Sequence, residues 1–303
     1  MPFASTNKIQ LAFEEQGSGQ PVILIMGIGC QLIHWPQAFC DLLSAQGMRV
    51  IRFDNRDTGL SSKMEGQHVD NFQRIIWRAL WGLPSEVPYT LYDMADDVAG
   101  LMDHLSIKKA HIVGISLGGM IAQSLAIEHP DRVATLTSIM STNGDPYLGT
   151  PTALKALFGK AAKTRPEAIE RAIHIFRTIG SPGFPFDEAT VRQRAGESYD
   201  RCHYPTGVLR QTAAVFASGS RRRRLATVSC PTLALHGSAD PLIPWVAGEA
   251  TARSVQNGRF QQVKGLGHDL AEGAWPIFID AIDSQVRAHP IPLTQSFYPS
   301  VAA

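Results

Sequence analysis

The apolar residues of this chain fall into short unbroken runs separated by longer stretches of helical spacing. Pro21 to Met26, Ala110 to Ile115, Val133 to Met140 and Pro231 to His236 are the clearest runs, with Met48 to Phe53 interrupted only by two arginines. Runs of this length predict strands buried on both faces, as in a parallel sheet. Lys8 to Glu15 alternates apolar and polar residues up to Gln16-Gly17-Ser18-Gly19, which predicts an edge strand and a turn. Arg259 to Val263 predicts one more strand. Helical spacing occupies Trp35 to Gln46, Leu91 to Leu105, Gly119 to Ala126, Trp245 to Val255 and about Ala274 to Ala288. Such alternation implies a mostly parallel sheet with helices on both faces. In that architecture the chemistry belongs in loops at the carboxyl ends of the strands.

One interval breaks the alternation. About ninety residues separate Val133 to Met140 from Pro231 to His236, too many for a strand-to-helix loop. They are mostly helical in pattern, rich in alanine and arginine, and broken by Gly180-Ser181-Pro182-Gly183-Phe184-Pro185. This predicts a helical cap (lid) of residues 141–230 inserted into a core of residues 1–140 and 231–303. Lys63 to Pro88 is looser, with Trp77 and Trp81 around a short apolar segment, and reads as a flap. Asp54 to Ser62 reads as a polar turn held by side-chain hydrogen bonds to its own backbone. Asp93, Asp96, Asp97 and Asp103 are assigned to the solvated face of their helix, and Arg221 to Arg224 to a solvated loop. The proline-punctuated tail from His289 to Ala303 either packs on the surface or is disordered.

Composition narrows the class without naming it. The chain has 303 residues, 44% hydrophobic and 18% charged, as expected of a globular enzyme large enough for a substantial core. A net charge of +1 gives no reason to expect nucleic acid or an anionic membrane as partner. No apolar stretch approaches the roughly 18 residues needed to span a bilayer. Met1 to Gln10 lacks the basic start and apolar run of a secretory signal. Cys30, Cys40, Cys202 and Cys230 show no C-x-x-C spacing, so reduced thiols in a cytoplasmic protein are expected.

The candidate chemistry centres on Gly114-Ile115-Ser116-Leu117-Gly118, which follows a predicted buried strand and precedes a predicted helix. Strand, G-x-S-x-G and helix together make the context of a nucleophile elbow, whose tight turn exposes the serine oxygen. The same motif also serves as a glycine-rich turn with an incidental serine, so its partners decide. A serine hydroxyl needs a base to take its proton, and His268 lies in the loop after Arg259 to Val263. Asp240 lies in the loop after Pro231 to His236, where it can orient that histidine and stabilise its cation. Gly27-Ile28-Gly29-Cys30 follows the Pro21 to Met26 run, where backbone N–H groups can approach a ligand. The N–H groups of Ile28 and Leu117 are the candidate oxyanion donors. His34 and Trp35 sit just beyond and either face the pocket or pack. Phe158, Phe176, Phe184 and Phe186 either line an apolar substrate site or pack the cap.

The order Ser116, Asp240, His268 and the loops that hold them resemble the α/β-hydrolase superfamily over nearly the whole chain. Val113 to Met120 matches that family's nucleophile elbow, His236-Gly237-Ser238-Ala239-Asp240-Pro241-Leu242-Ile243-Pro244 its acid loop, and Gly267-His268 its histidine loop. Within it the chain is most similar to bacterial esterases of the aclacinomycin-methylesterase group, through Val50 to Ser62 and Tyr204-Pro205-Thr206-Gly207-Val208-Leu209-Arg210-Gln211. Where many relatives have His-Gly before the oxyanion loop, this chain has Met26-Gly27. The resemblance implies an eight-stranded α/β-hydrolase core, a lid after the sixth strand, and neither metal nor organic cofactor. It implies a serine carboxylic-ester hydrolase acting on a small-molecule ester through an acyl-enzyme, as a monomer or homodimer. A C–C bond hydrolase or a cofactor-free perhydrolase would use the same three residues. A ligand-binding receptor would keep them on the same fold.

Overall fold

The buried runs all become strands. The chain opens with β1 (Phe3–Thr6), β2 (Ile9–Gln16) and β3 (Gln20–Ile25), then alternates through α1 (Gln37–Ala45), β4 (Met48–Phe53), α2 (Phe72–Leu80) and α3 (Leu91–His104). It continues as β5 (Ala110–Ile115), α4 (Leu117–Glu128) and β6 (Val133–Ile139). The computed structural model describes residues 1–292, so of the tail only His289 to Pro292 falls within it; residues 293–303 lie outside the described residues. After β6 the chain leaves the sheet as α5 (Pro151–Phe158), α6 (Arg165–Ile179), α7 (Glu188–Arg201), α8 (Pro205–Ser218) and α9 (Arg222–Leu225). It returns through β7 (Thr232–Gly237), α10 (Trp245–Arg253), β8 (Gly258–Val263) and α11 (Trp275–Ala288).

The strands form one sheet in the order β1-β2-β4-β3-β5-β6-β7-β8. β1 and β2 pair antiparallel, as do β2 and β4, and every later pairing is parallel. Strand order reverses between β3 and β5, and that is where an open α/β sheet leaves a crevice for a ligand. The loops after β3 and β5 flank this point. Apolar side chains pack on both faces, α3 and α4 covering one and α1 and α11 the other. The α4 helix is buried from Leu117 to Ala126, so the element behind Ser116 is anchored on all sides.

Four expectations change. β2 is not the edge, because the short β1 pairs outside it, a strand whose four residues are too few to show a period. Asp97 is not on a solvated face: it is 2% exposed and accepts from Arg56 Nε and Nη2, both at 2.6 Å. Arg221 is not in a solvated loop but fully buried, donating to Gln123 Oε1 and to the Thr142 carbonyl. The Lys63 to Pro88 stretch contains the regular helix α2, packed on α8 through Phe72 and Phe216 at 5.9 Å, while Trp77 and Trp81 stay exposed. The Asp54 to Ser62 turn behaves as read. Asp54 accepts from the Leu32 and Leu60 N–H groups, and Asp57 from the Met64 N–H. The same two aspartates also bind Arg201 of α7 and Arg210 of α8, which fastens those helices to the core.

Candidate active site

Ser116 stands at the tip of β5 with φ 54° and ψ −118°, a backbone conformation that an L-residue holds only when its surroundings enforce it. They do so here. The Ser116 N–H donates to the Ile139 carbonyl at 2.9 Å, and its own carbonyl accepts from Ser141 Oγ at 2.7 Å and from the Gly119 N–H. Close packing under the turn explains the glycines. A Cβ at Gly114 would lie 2.1 Å from the Gly118 carbonyl oxygen, and one at Gly118 the same distance from that of Ile25.

The loops after β7 and β8 bring Asp240 and His268 to this serine. His268 Nε2 is 3.1 Å from Ser116 Oγ, and His268 Nδ1 is 2.7 Å from Asp240 Oδ2. A carboxylate only accepts, so the proton sits on Nδ1 and the Nε2 lone pair faces the serine hydroxyl. Asp240 Oδ1 accepts from the Leu242 and Ile243 N–H groups, both at 2.9 Å. Its Oδ2 receives a further contact at 3.1 Å from Nε2 of His236, a residue that the acid-loop motif contains but to which sequence reasoning assigned no role. Burial works to raise the Asp240 pKa, but the two histidines outweigh it and hold the carboxyl well below the usual carboxylate range.

Gly27 to Cys30 forms a tight turn closed by the Cys30 N–H on the Gly27 carbonyl, with Gly29 at φ +65°. Gly27 faces the elbow, a Cβ there lying 3.5 Å from Ser116 Cβ. Among the described residues neither the Ile28 nor the Leu117 N–H donates to another protein group. Leu117 is the first residue of α4, where N–H groups are unpaired and the helix dipole favours negative charge. The turn is held from outside by Gln211 of α8, which is fully buried. It accepts from the Gly29 N–H at 2.8 Å and donates to the Arg56 carbonyl and to Thr58 Oγ1. Sequence reasoning noted Gln211 only as part of a matching segment, since nothing local to α8 points to a loop 182 residues away.

A cavity of about 1070 Å³ lies between the core, α2 and α5–α8. Gly29 and Asp269, the sequence neighbours of Ile28 and His268, are on its wall, whereas Ser116 itself is not. His34 lines it, and burial lowers the His34 pKa to about 4 with help from the Arg194 charge. Trp35 does not: it is fully buried, stacked on Phe39 at 5.6 Å in the core beneath. Phe158, Phe176 and Phe186 line the cavity, but Phe184 packs against the core. Asp269 accepts a hydrogen bond from Ser181 Oγ, and burial raises its pKa. All four cysteines are free thiols, and among the described residues no cluster of three or more His, Cys, Asp or Glu is placed to hold a metal ion. Among the same residues no helix is long and apolar enough to cross a membrane.

Sheet, elbow and loop order together define an α/β hydrolase. The family described as the alpha/beta hydrolase fold matches residues 20–174, more than half of the chain, and the protein belongs to it. Among curated proteins the chain is 27% identical to the rhodomycin D methylesterase DauP of Streptomyces sp. (strain C5), over 95% of this chain and 99% of that one. It is 26% identical to the rhodomycin D methylesterase DnrP of Streptomyces peucetius, with the same coverage. The fold is shared with the meta-cleavage product hydrolase CumD of Pseudomonas fluorescens IP01, at a TM-score of 0.77 and 21% identity, covering 95% of this chain and 98% of that one.

Proposed function

We propose that the protein is a serine carboxylic-ester hydrolase working through an acyl-enzyme. The observation that carries the reading is the continuous chain from Ser116 Oγ through His268 to Asp240, with distances of 3.1 and 2.7 Å. In this reading Ser116 attacks the ester carbonyl while His268 Nε2 takes its proton. The free N–H groups of Ile28 and Leu117 hold the oxyanion, and α4 adds its dipole. His268 returns the proton to the leaving alcohol, and water repeats the cycle to release the acid. Residues 141–230 act as a cap over the site, with the cavity beneath them as the substrate chamber. The methylesterase relatives, which match 95% of this chain in sequence, support ester cleavage.

Hydrolysis of p-nitrophenyl esters from acetate to a medium chain length, with wild type beside Ser116→Ala, tests the reading. Multiple turnovers by the wild type and a loss of at least about a thousandfold in the variant are expected. Absence of turnover on every ester would sink it. Carbon–carbon cleavage and perhydrolysis with the same three residues would then be assayed, followed by ligand binding without turnover.

A further inference from the structure

Arg194 differs from the other arginines in the interior. Arg56, Arg201 and Arg210 each bind an aspartate, Arg221 is held by Gln123 and carbonyl oxygens, and Arg171, on the same cavity wall, donates to the Leu157 carbonyl. Arg194 lines the cavity and, among the described residues, makes neither an ion pair nor a hydrogen bond. Its position on α7 points it there. Arg192, two residues earlier and so on nearly the opposite side of the helix, pairs with Glu170 and Glu188 at the surface.

None of the groups around Arg194 comes within ion-pair distance of it: Glu197, three residues on in α7, acts on the guanidinium only at longer range. The field of Arg194 reaches the Cys30 thiol and the His34 ring, beside the Gly27 to Cys30 turn. Burial pushes the thiol up to about 11 and the imidazole down to about 4, so both are neutral at pH 7. Asp187 and Glu272 lie on the same wall, outside ion-pair distance of the guanidinium. A half-buried guanidinium without a direct partner gives up part of its hydration and gains no hydrogen bond from the fold in return. A ligand carboxylate would supply both, since its two oxygens match the guanidinium fork. The three acids, Glu197, Asp187 and Glu272, favour a singly charged group over a phosphate dianion.

We propose that Arg194 binds a carboxylate carried by the substrate, so that the protein acts on esters bearing a free carboxylate, such as monoesters of dicarboxylic acids. This rests on the ester-hydrolase reading for the reaction, though not for the binding. Hydrolysis of such a monoester breaks its acyl C–O bond, and water supplies the oxygen and protons for a dicarboxylic acid and an alcohol. Arg194 lies on α7 and Ser116 at the tip of β5, so a spacer of a length the test reads out separates the scissile carbonyl from the carboxylate.

The test measures binding by calorimetry in Ser116→Ala protein, which removes turnover. The ligands are monoethyl esters of succinic, glutaric, adipic and pimelic acids, esters with the carboxylate on the alcohol side, and neutral isosteres of each. One charged series is expected to bind at least tenfold more tightly than its isosteres, with the best chain length reporting the spacer. Adding Arg194→Met should abolish the preference and Arg194→Lys retain part of it. The melting temperature of the Met variant should stay level or rise, because an unpaired charge has been removed; a merely structural arginine would lower it. Equal binding of charged and neutral esters, or a preference that survives Arg194→Met, would overturn the proposal. Charge-selective binding with no turnover by wild type would instead remove the ester-hydrolase reading and leave Arg194 in its role.

Discussion

Asp240 satisfies four donors with two oxygens, which explains how a carboxylate stays ionised where burial alone would favour its neutral form. Replacing it with asparagine keeps the size but lets the amide face His268 with a donor, favouring the wrong tautomer. Asp240→Asn should therefore lower kcat on the best ester by about three to four orders of magnitude while the fold persists by circular dichroism. Because its pKa is depressed in the fold, Asp240 stabilises the protein fully above the ordinary aspartate value of about 4, and that contribution is lost as pH falls through the depressed value. Asp97 is a contrasting case. Its helix spacing beside Asp93 and Asp96 reads as solvation, but Arg56 reaches it from the loop after β4 and buries the pair. Removing one partner strands the other charge, so Asp97→Ala should cost about 3–5 kcal/mol in urea unfolding.

At the scale of elements, the elbow was legible and its support was not. Strand, glycines and helix around Ser116 are contiguous in sequence, and the steric demand is local. A methyl at Gly118 meets the Ile25 carbonyl at 2.1 Å, so Gly118→Ala should destabilise the protein by about 3 kcal/mol or more, read as a fall in melting temperature. The Gly27 to Cys30 turn, the proposed oxyanion turn, depends instead on α8. Gln211 holds the Gly29 N–H, and with it the orientation of the Ile28–Gly29 peptide beside the proposed donor, the Ile28 N–H. Gln211→Leu should lower kcat by up to about a hundredfold with KM little changed. Affinity for a boronic acid mimicking the tetrahedral intermediate should fall in step, while affinity for a ground-state ester in the Ser116→Ala background should not. A fall in ground-state binding of equal size would mean that α8 merely shapes the cavity.

Over the whole molecule, the five helices between β6 and β7 are tied to the core by buried charges rather than by a continuous apolar interface alone: Asp54 with Arg201, and Asp57 with Arg210. Acid should loosen the molecule for a further reason. His111, 1% exposed on β5 and bonded to Thr135 Oγ1, has its pKa lowered by burial to about 4. Between about 6.5 and 4 the unfolded chain takes up a proton that the folded one refuses, so stability declines as pH is lowered through that window. His111→Asn should flatten the decline in urea unfolding followed from pH 7 to pH 4; an unchanged slope would assign the acid sensitivity elsewhere.

The chain by itself determined the parallel sheet, the elbow and the order of Ser116, Asp240 and His268, because strand burial, helix spacing and turn sterics all act over a few residues. It also marked the long insertion, by length alone. Tertiary structure decided which charges are solvated and which are buried, that Trp35 packs in the core while His34 faces the cavity, and that Gln211 braces a turn far away in sequence. It left Arg194 without a partner for the same reason. Burial and pairing are set by what packs against a residue from distant parts of the chain, and no local period carries that information.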